Sequence, residues 1–209
     1  MKKIYLTRHG ETEWNKAGRL QGWCDSKLTE KGESDATLLG QRMDLSQIDA
    51  IYTSPLPRAK QTTNLIKQET NIHVYEVDDL KEIFLGDWEG KTKEEIEVNH
   101  QKEFSNFWNA PHLYDHSLHN AESLEAFKKR VQKVVKSIVD EPTHQSVLIV
   151  AHAVVLKAAI SFFLSSSPER FWDPPFIHGG SLTIVNWDGE QFHVELVGDT
   201  SHLKEEQQV

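Results

Sequence analysis

The chain carries a single cysteine, Cys24, among 209 residues. No disulfide can close within it, and nothing in its cysteine usage asks for an oxidising compartment. No glycine-rich phosphate cradle surrounds Cys24, which speaks against a thiolate nucleophile. Long apolar runs are missing as well, and none approaches the ~18 residues of a membrane-spanning helix. The N-terminus enters a strand pattern without the apolar segment of a signal peptide, so the cytoplasm is the expected location. Excess positive charge is absent too. A formal net charge of -9 argues against a nucleic-acid or membrane-surface binder, because both need a basic footprint. Arginine is scarce: there are six, and none lies between Glu82 and Ser123.

What is present is enough apolar residue for a core, 38%, with a normal charged share of 26%. The length suits one domain over 1–209, in which 80–121 has the character of a cap-like insertion. That stretch is aromatic (Phe84, Trp88, Phe104, Phe107, Trp108, Tyr114) and broken by glycine and proline, with one or two helices at 92–108. Elsewhere strand and helix alternate. Residues 3–7, 49–53 and 73–77 read as short strands, and 8–28 as a polar loop. Helical spacing follows from Thr29 and again after Pro57. Leu124, Phe127, Val131, Val134, Val135 and Ile138 make an apolar stripe that predicts a helix over 122–139. Ser146 to Ala151 is a continuous apolar run, as for a central parallel strand covered on both faces, and Val154 to Leu164 an apolar helix. Strands at 181–187 and 191–198 flank Asp188-Gly189, a hairpin signal. The tail from Lys204 is expected to fray. The pattern predicts an α/β fold: three layers, α/β/α, around a mainly parallel sheet with one antiparallel edge.

Ligands of such sheets bind outside the carboxyl ends of the strands. There the first strand ends in Arg8 and His9, the second in Thr53 and Ser54 with Arg58 one turn on, and the central strand in His152. Two histidines and two arginines would converge on one crevice. Guanidinium forks match phosphoryl oxygens bidentately, and a neutral imidazole attacks phosphorus through one ring nitrogen. The other nitrogen needs an acceptor, and a backbone carbonyl in the 10–18 loop is available to supply it. His152, at a helix N-terminus, is placed to donate to an oxyanion. A leaving alkoxide needs a proton, and Glu82, ahead of an aromatic segment, is the favoured donor, with Glu11 and Glu89 as alternatives. Taken alone, a strand-end histidine is more often structural, and Arg58 is equally an ordinary first-turn residue. His112, His116 and His119 have a spacing that admits a metal, but Pro111 weakens the helix that would gather them.

Arg8-His9-Gly10-Glu11-Thr12, with Asn15 and Gln21-Gly22, resembles the signature of the histidine phosphatase superfamily, which includes the cofactor-dependent phosphoglycerate mutases. Ser54 to Thr62 resembles the second phosphate-binding segment, Glu82 to Gly90 the proton-donor segment, and His152 the second histidine. The likeness runs in order over nearly the whole chain, and Ala110–Tyr114, Val154–Lys157 and Trp172–Pro175 tie it to the family's broad-specificity phosphatases. It implies a phosphoglycerate mutase-like fold, His9 as nucleophile and Glu82 as proton donor. Arg8, Arg58 and His152 would be phosphate ligands, with Asn15, Gln21 and Gly22 as further contacts and no metal or other cofactor. Two positions depart from the pattern. Ala153 stands where many relatives have glycine, and Ala121-Glu122-Ser123 where Gly-Glu-Ser is common. Were position 153 to need a positive φ, alanine would cost about 1 kcal/mol or more.

The expected activity is hydrolysis of phosphomonoesters, of broad specificity, through a phosphohistidine. The alternative is a phosphoglycerate mutase, which must hold a second anionic group. The arginine-free, aromatic 82–123 stretch favours water as acceptor. A phospho-ligand binding module without catalysis is a third reading, disfavoured by the presence of both His9 and Glu82. The expected partner is a small phosphorylated molecule, not nucleic acid or membrane, and the protein a monomer or homodimer.

Overall fold

The computed structural model describes residues 1–167 and 170–203; the expectation for the tail from Lys204 lies outside them. Six strands form one sheet in the order β3-β2-β4-β1-β5-β6, with β1 at Lys2–Arg8, β2 at Ala50–Thr53, β3 at His73–Glu76, β4 at Ser146–Ala151, β5 at Leu182–Trp187 and β6 at Phe192–Asp199. β3, β2, β4 and β1 are mutually parallel, and the β5–β6 hairpin closes the sheet antiparallel to β1. This is the mainly parallel α/β architecture that the sequence predicts.

Period-two alternation in β4 explains the layers. Val147, Ile149 and Ala151 face one core, with α5 (Leu124–Asp140) and α6 (Ala153–Phe163). Leu148 and Val150 face the other, with α2 (Glu30–Arg42) and α3 (Pro57–Lys67). Strand β4 is buried on both faces because helices cover both. The stripe on α5 buries Leu124, Phe127, Val131, Val134, Val135, Ile138 and Val139. Each such side chain contributes up to about 1.5–3 kcal/mol, so a charge at Val135 would break the layer. Ser123 starts this helix by accepting the Ala126 N–H at 3.1 Å.

Two local differences from the sequence reading have physical causes. The 8–28 loop contains a four-residue helix, α1 (Glu13–Lys16), started by a capping box between Thr12 and Asn15. It buries none of its own residues, so no apolar periodicity announces it. The 92–108 region is one capped element, α4 (Lys93–Asn109), kinked at His100. On either side of the kink Ile96, Phe104 and Phe107 are buried, and Phe104 and Phe107 meet the ring of Trp88 edge-on.

Candidate active site

Register brings three strand ends together. Arg8 pairs with Ala151, and Thr53 with Val150, so the next residues, His9, His152 and Ser54, leave the same edge of the sheet. All three are buried. The ring centroids of His9 and His152 are 5.1 Å apart. A cleft of about 440 Å³ opens there, lined by Arg8, His9, Arg58 and Glu82 among others.

His9 Nδ1 lies 2.8 Å from the Gly10 carbonyl. A carbonyl only accepts, so Nδ1 carries the proton and Nε2 keeps its lone pair. Burial, then the charges of Arg58 and Arg8, hold His9 well below the usual histidine range. The ring is neutral at neutral pH and presents an unprotonated nitrogen. Gly10 itself is pressed against Gly32 at the start of α2; a Cβ on Gly10 would meet the Gly32 carbonyl oxygen at 2.4 Å.

Arg58, fully buried, aims its Nε at His9 Nε2 over 3.2 Å. Its other N–H groups donate to the Cys24 carbonyl (2.7 Å), Asp25 Oδ1 (3.0 Å) and the Gly22 carbonyl (2.7 Å). Gly22 therefore enters the site through its carbonyl, not a side chain. The loop that carries these acceptors is pinned by Glu89, which accepts the N–H groups of Trp23, Cys24 and Leu85. Glu82 lines the cleft and Glu89 does not, so Glu89 is ill placed as the alternative acid. Arg8 donates to the Ile177 carbonyl at 2.9 Å, while its buried Nε has no partner.

Glu82 Oε1 accepts the Ile83 N–H at 2.9 Å and Oε2 the Val154 N–H at 3.1 Å. Burial raises its pKa against those bonds and both arginines. Arg130 braces it from behind, donating to the carbonyls of Asp79, Lys81 and Glu82 and pairing with Glu122. That role was not visible in sequence, where Arg130 is one cation on the polar side of an amphipathic helix.

Asn15 and Gln21 both line the cleft. Asn15 caps α1 and Gln21 bonds Thr12 and Ser26, so both hold the loop. Ala153 opens α6 with a negative φ and lines the cleft; its methyl brings no backbone penalty and narrows the floor. His119 bonds the Leu85 carbonyl and the Tyr114 hydroxyl and stacks on Trp88 at 3.6 Å. Among the described residues no group of three or more His, Cys, Asp or Glu is placed to hold a metal, and no helix is long and apolar enough to cross a membrane. The far wall is Leu20, Leu85, Phe107, Trp108 and Phe176, with Arg19 and His178. Arg19 lies outside the arginine-free stretch, and only its fold position reveals it as a wall residue.

A family model described as the histidine phosphatase superfamily (branch 1) matches residues 4–200. The chain belongs to the histidine phosphatase superfamily. Within it, the chain is 33% identical over 205 residues to phosphoserine phosphatase 1 of Hydrogenobacter thermophilus, covering 98% of this chain and 96% of that one. It is 32% identical over 203 residues to the phosphatase PhoE of Bacillus subtilis, covering 97% of each. Among solved structures, Bacillus stearothermophilus YhfR superposes with a TM-score of 0.92 at 44% identity, over 98% of this chain and all of that one.

Proposed function

We propose that the protein hydrolyses small phosphomonoesters of varied leaving group through a phosphohistidine on His9. The observation that carries this is the pair of unspent buried polar atoms beside His9, Arg8 Nε and His152 Nδ1. Buried polar atoms are rarely left unpaired, and the oxygens of a phosphoryl group on His9 would occupy them. His9 Nε2 attacks phosphorus as the ester P–O bond breaks. Glu82, whose pKa burial raises, gives its proton to the leaving oxygen. Water then attacks phosphorus, Glu82 takes back a proton, and the P–N bond breaks. Arg8, Arg58 and His152 hold the transferring oxygens, and the 80–121 segment, through Phe107 and Trp108, serves as a cap against bulk water.

The apolar wall touches a leaving group without directional demands, which supports breadth. The mutase alternative needs a free cation for a second anionic group. Arg19, the further arginine on the wall, is already paired with Glu95 at 2.9 Å and donates to the Gly90 carbonyl. The test is a panel of phosphomonoesters assayed with and without chelator, alongside 3-phosphoglycerate with 2,3-bisphosphoglycerate. Phosphate release unaffected by chelator is expected. Mutase turnover outpacing phosphate release would sink the hydrolase reading.

A further inference from the structure

His152 and His9 stand side by side, yet the chemistry asks opposite things of them. One must present a lone pair and the other a donor. The difference lies with Ser54, the residue that follows β2.

Ser54 is fully buried, and its Oγ lies 2.7 Å from His152 Nε2. The same oxygen accepts the Leu56 N–H at 3.3 Å. A hydroxyl carries one proton to give away. Among the described residues, Leu56 N–H is a donor and so cannot take it, which leaves His152 Nε2 as the acceptor in reach. Burial, then the charges of Arg58 and Arg8, keep His152 neutral, so its ring has a single proton. If Nε2 accepts, that proton is on Nδ1, the atom that has no partner.

We infer that Ser54 is a positioning residue: its hydroxyl donates to His152 Nε2 and locks the Nδ1–H tautomer, so that a hydrogen-bond donor stands ready beside His9. The inference rests on the phosphohydrolase reading of the site and adds to it the cause of the division of labour. Both imidazoles then carry their proton on Nδ1. His9 spends it on the Gly10 carbonyl and offers Nε2 to phosphorus. His152 spends its Nε2 lone pair on Ser54 and offers Nδ1–H to the phosphoryl oxygens. In the opposite tautomer the Ser54 proton would have no acceptor, and a lone pair would face the negative oxygens. The serine also serves the cationic state: should His152 gain a proton on Nε2 when the anion arrives, the hydroxyl turns and accepts it.

The test is long-range ¹H–¹⁵N correlation of the ¹⁵N-histidine-labelled whole chain near neutral pH, with a His152→Asn sample used only to assign signals. In the unmodified protein His152 should show protonated Nδ1 and unprotonated Nε2; a protonated Nε2 overturns the proposal with no variant needed. In Ser54→Ala the tautomers should mix and kcat on 4-nitrophenyl phosphate should fall about tenfold to a hundredfold, as when an outer partner of a functional imidazole is lost, with KM changing less. Ser54→Thr, which keeps a hydroxyl, should restore both. An unchanged Nδ1–H tautomer in folded Ser54→Ala overturns the proposal. Orthovanadate separates the two layers: it should move the His152 Nδ1–H signal. If the tautomer is as stated and vanadate leaves it unmoved, His152 does not bind the anion. The site reading then fails, and the role of Ser54 in turnover with it.

Discussion

Nε of Arg58 sits 3.2 Å from Nε2 of His9, with the rest of the guanidinium bound to Gly22, Cys24 and Asp25 of one loop. The fork both orients the arginine and keeps positive charge beside His9. A lysine ammonium keeps the charge and loses the planar fork. Arg58→Ala should lower kcat/KM on 4-nitrophenyl phosphate by about 10²–10³, the usual cost of a donor aimed at developing charge. Arg58→Lys should recover less than about a tenth of that loss. Steady-state kinetics decide, and a fully active lysine variant would remove the geometric argument.

Gly22 has φ +54°, and a Cβ there would lie 2.0 Å from Glu89 Oε1. Gly22→Ala must strain the backbone and push aside the carboxylate that pins the arginine's loop. A left-handed alanine costs roughly 1–2 kcal/mol, which in a chain of this size lowers Tm by about 2–8 °C. Activity should drop further than stability accounts for, because Arg58 loses its frame. A melting curve and kinetics on the same preparation check both; activity unchanged in a destabilised variant would detach the loop from catalysis.

Glu82→Gln should separate substrates by leaving group. Alkyl phosphates, whose alkoxide must be protonated, should lose about 10²–10⁴ in kcat. 4-Nitrophenyl phosphate, whose phenolate leaves unaided, should lose less than about tenfold. In the unmodified protein the rate on alkyl phosphates should decline as pH rises through the raised pKa of Glu82 and decline again in acid as His9 is protonated. Equal losses on both substrate classes would rule Glu82 out as the acid.

Stability against pH carries opposed signs. His9 and His152 are held below their ordinary 6.5 when folded. The unfolded chain therefore binds more protons, and the stability they contribute is present above 6.5 and lost as pH falls below it. Glu82 is raised from 4.5, so its contribution is present below 4.5 and lost as pH rises through its folded value. Between these limits the two slopes partly cancel. The Tm of Glu82→Gln should accordingly fall more steeply from pH 7 to pH 5 than that of the unmodified protein, and His152→Gln less steeply. Parallel curves for all three would contradict the assignments.

The sequence was most legible where one signal sufficed. The unbroken apolar run of β4 and the stripe of α5 announce themselves because each has a single dominant environment. β1, β2 and β4 also announced their ends, so the meeting of His9, Arg58 and His152 followed from topology. Helix α1 was not legible because it rests on a capping box and buries none of its residues. Arg130 and Asp25 were missed, and Glu89 was read only as an alternative acid, for another reason. Their partners lie on distant segments, the Arg58 guanidinium for Asp25 and backbone carbonyls or N–H groups for Arg130 and Glu89, and nothing in the residue type says which group an exposed-looking charge will meet. Ser54 was visible as a strand-end hydroxyl, but its bond to His152 spans 98 positions.

Strand β1 finds its neighbours, β4 and β5, only after α5 in chain order. His9 is thus synthesised well before the second histidine, His152, and the flanking Ile177 carbonyl. Pairings so distant in sequence pay their loop-closure entropy late. During synthesis His9 emerges before the strands that flank it, and a chain interrupted before Ser146 leaves β1 without a partner strand. On refolding, the return of activity is expected to track completion of the whole sheet, because β1 gains its pairs only with β4 and β5.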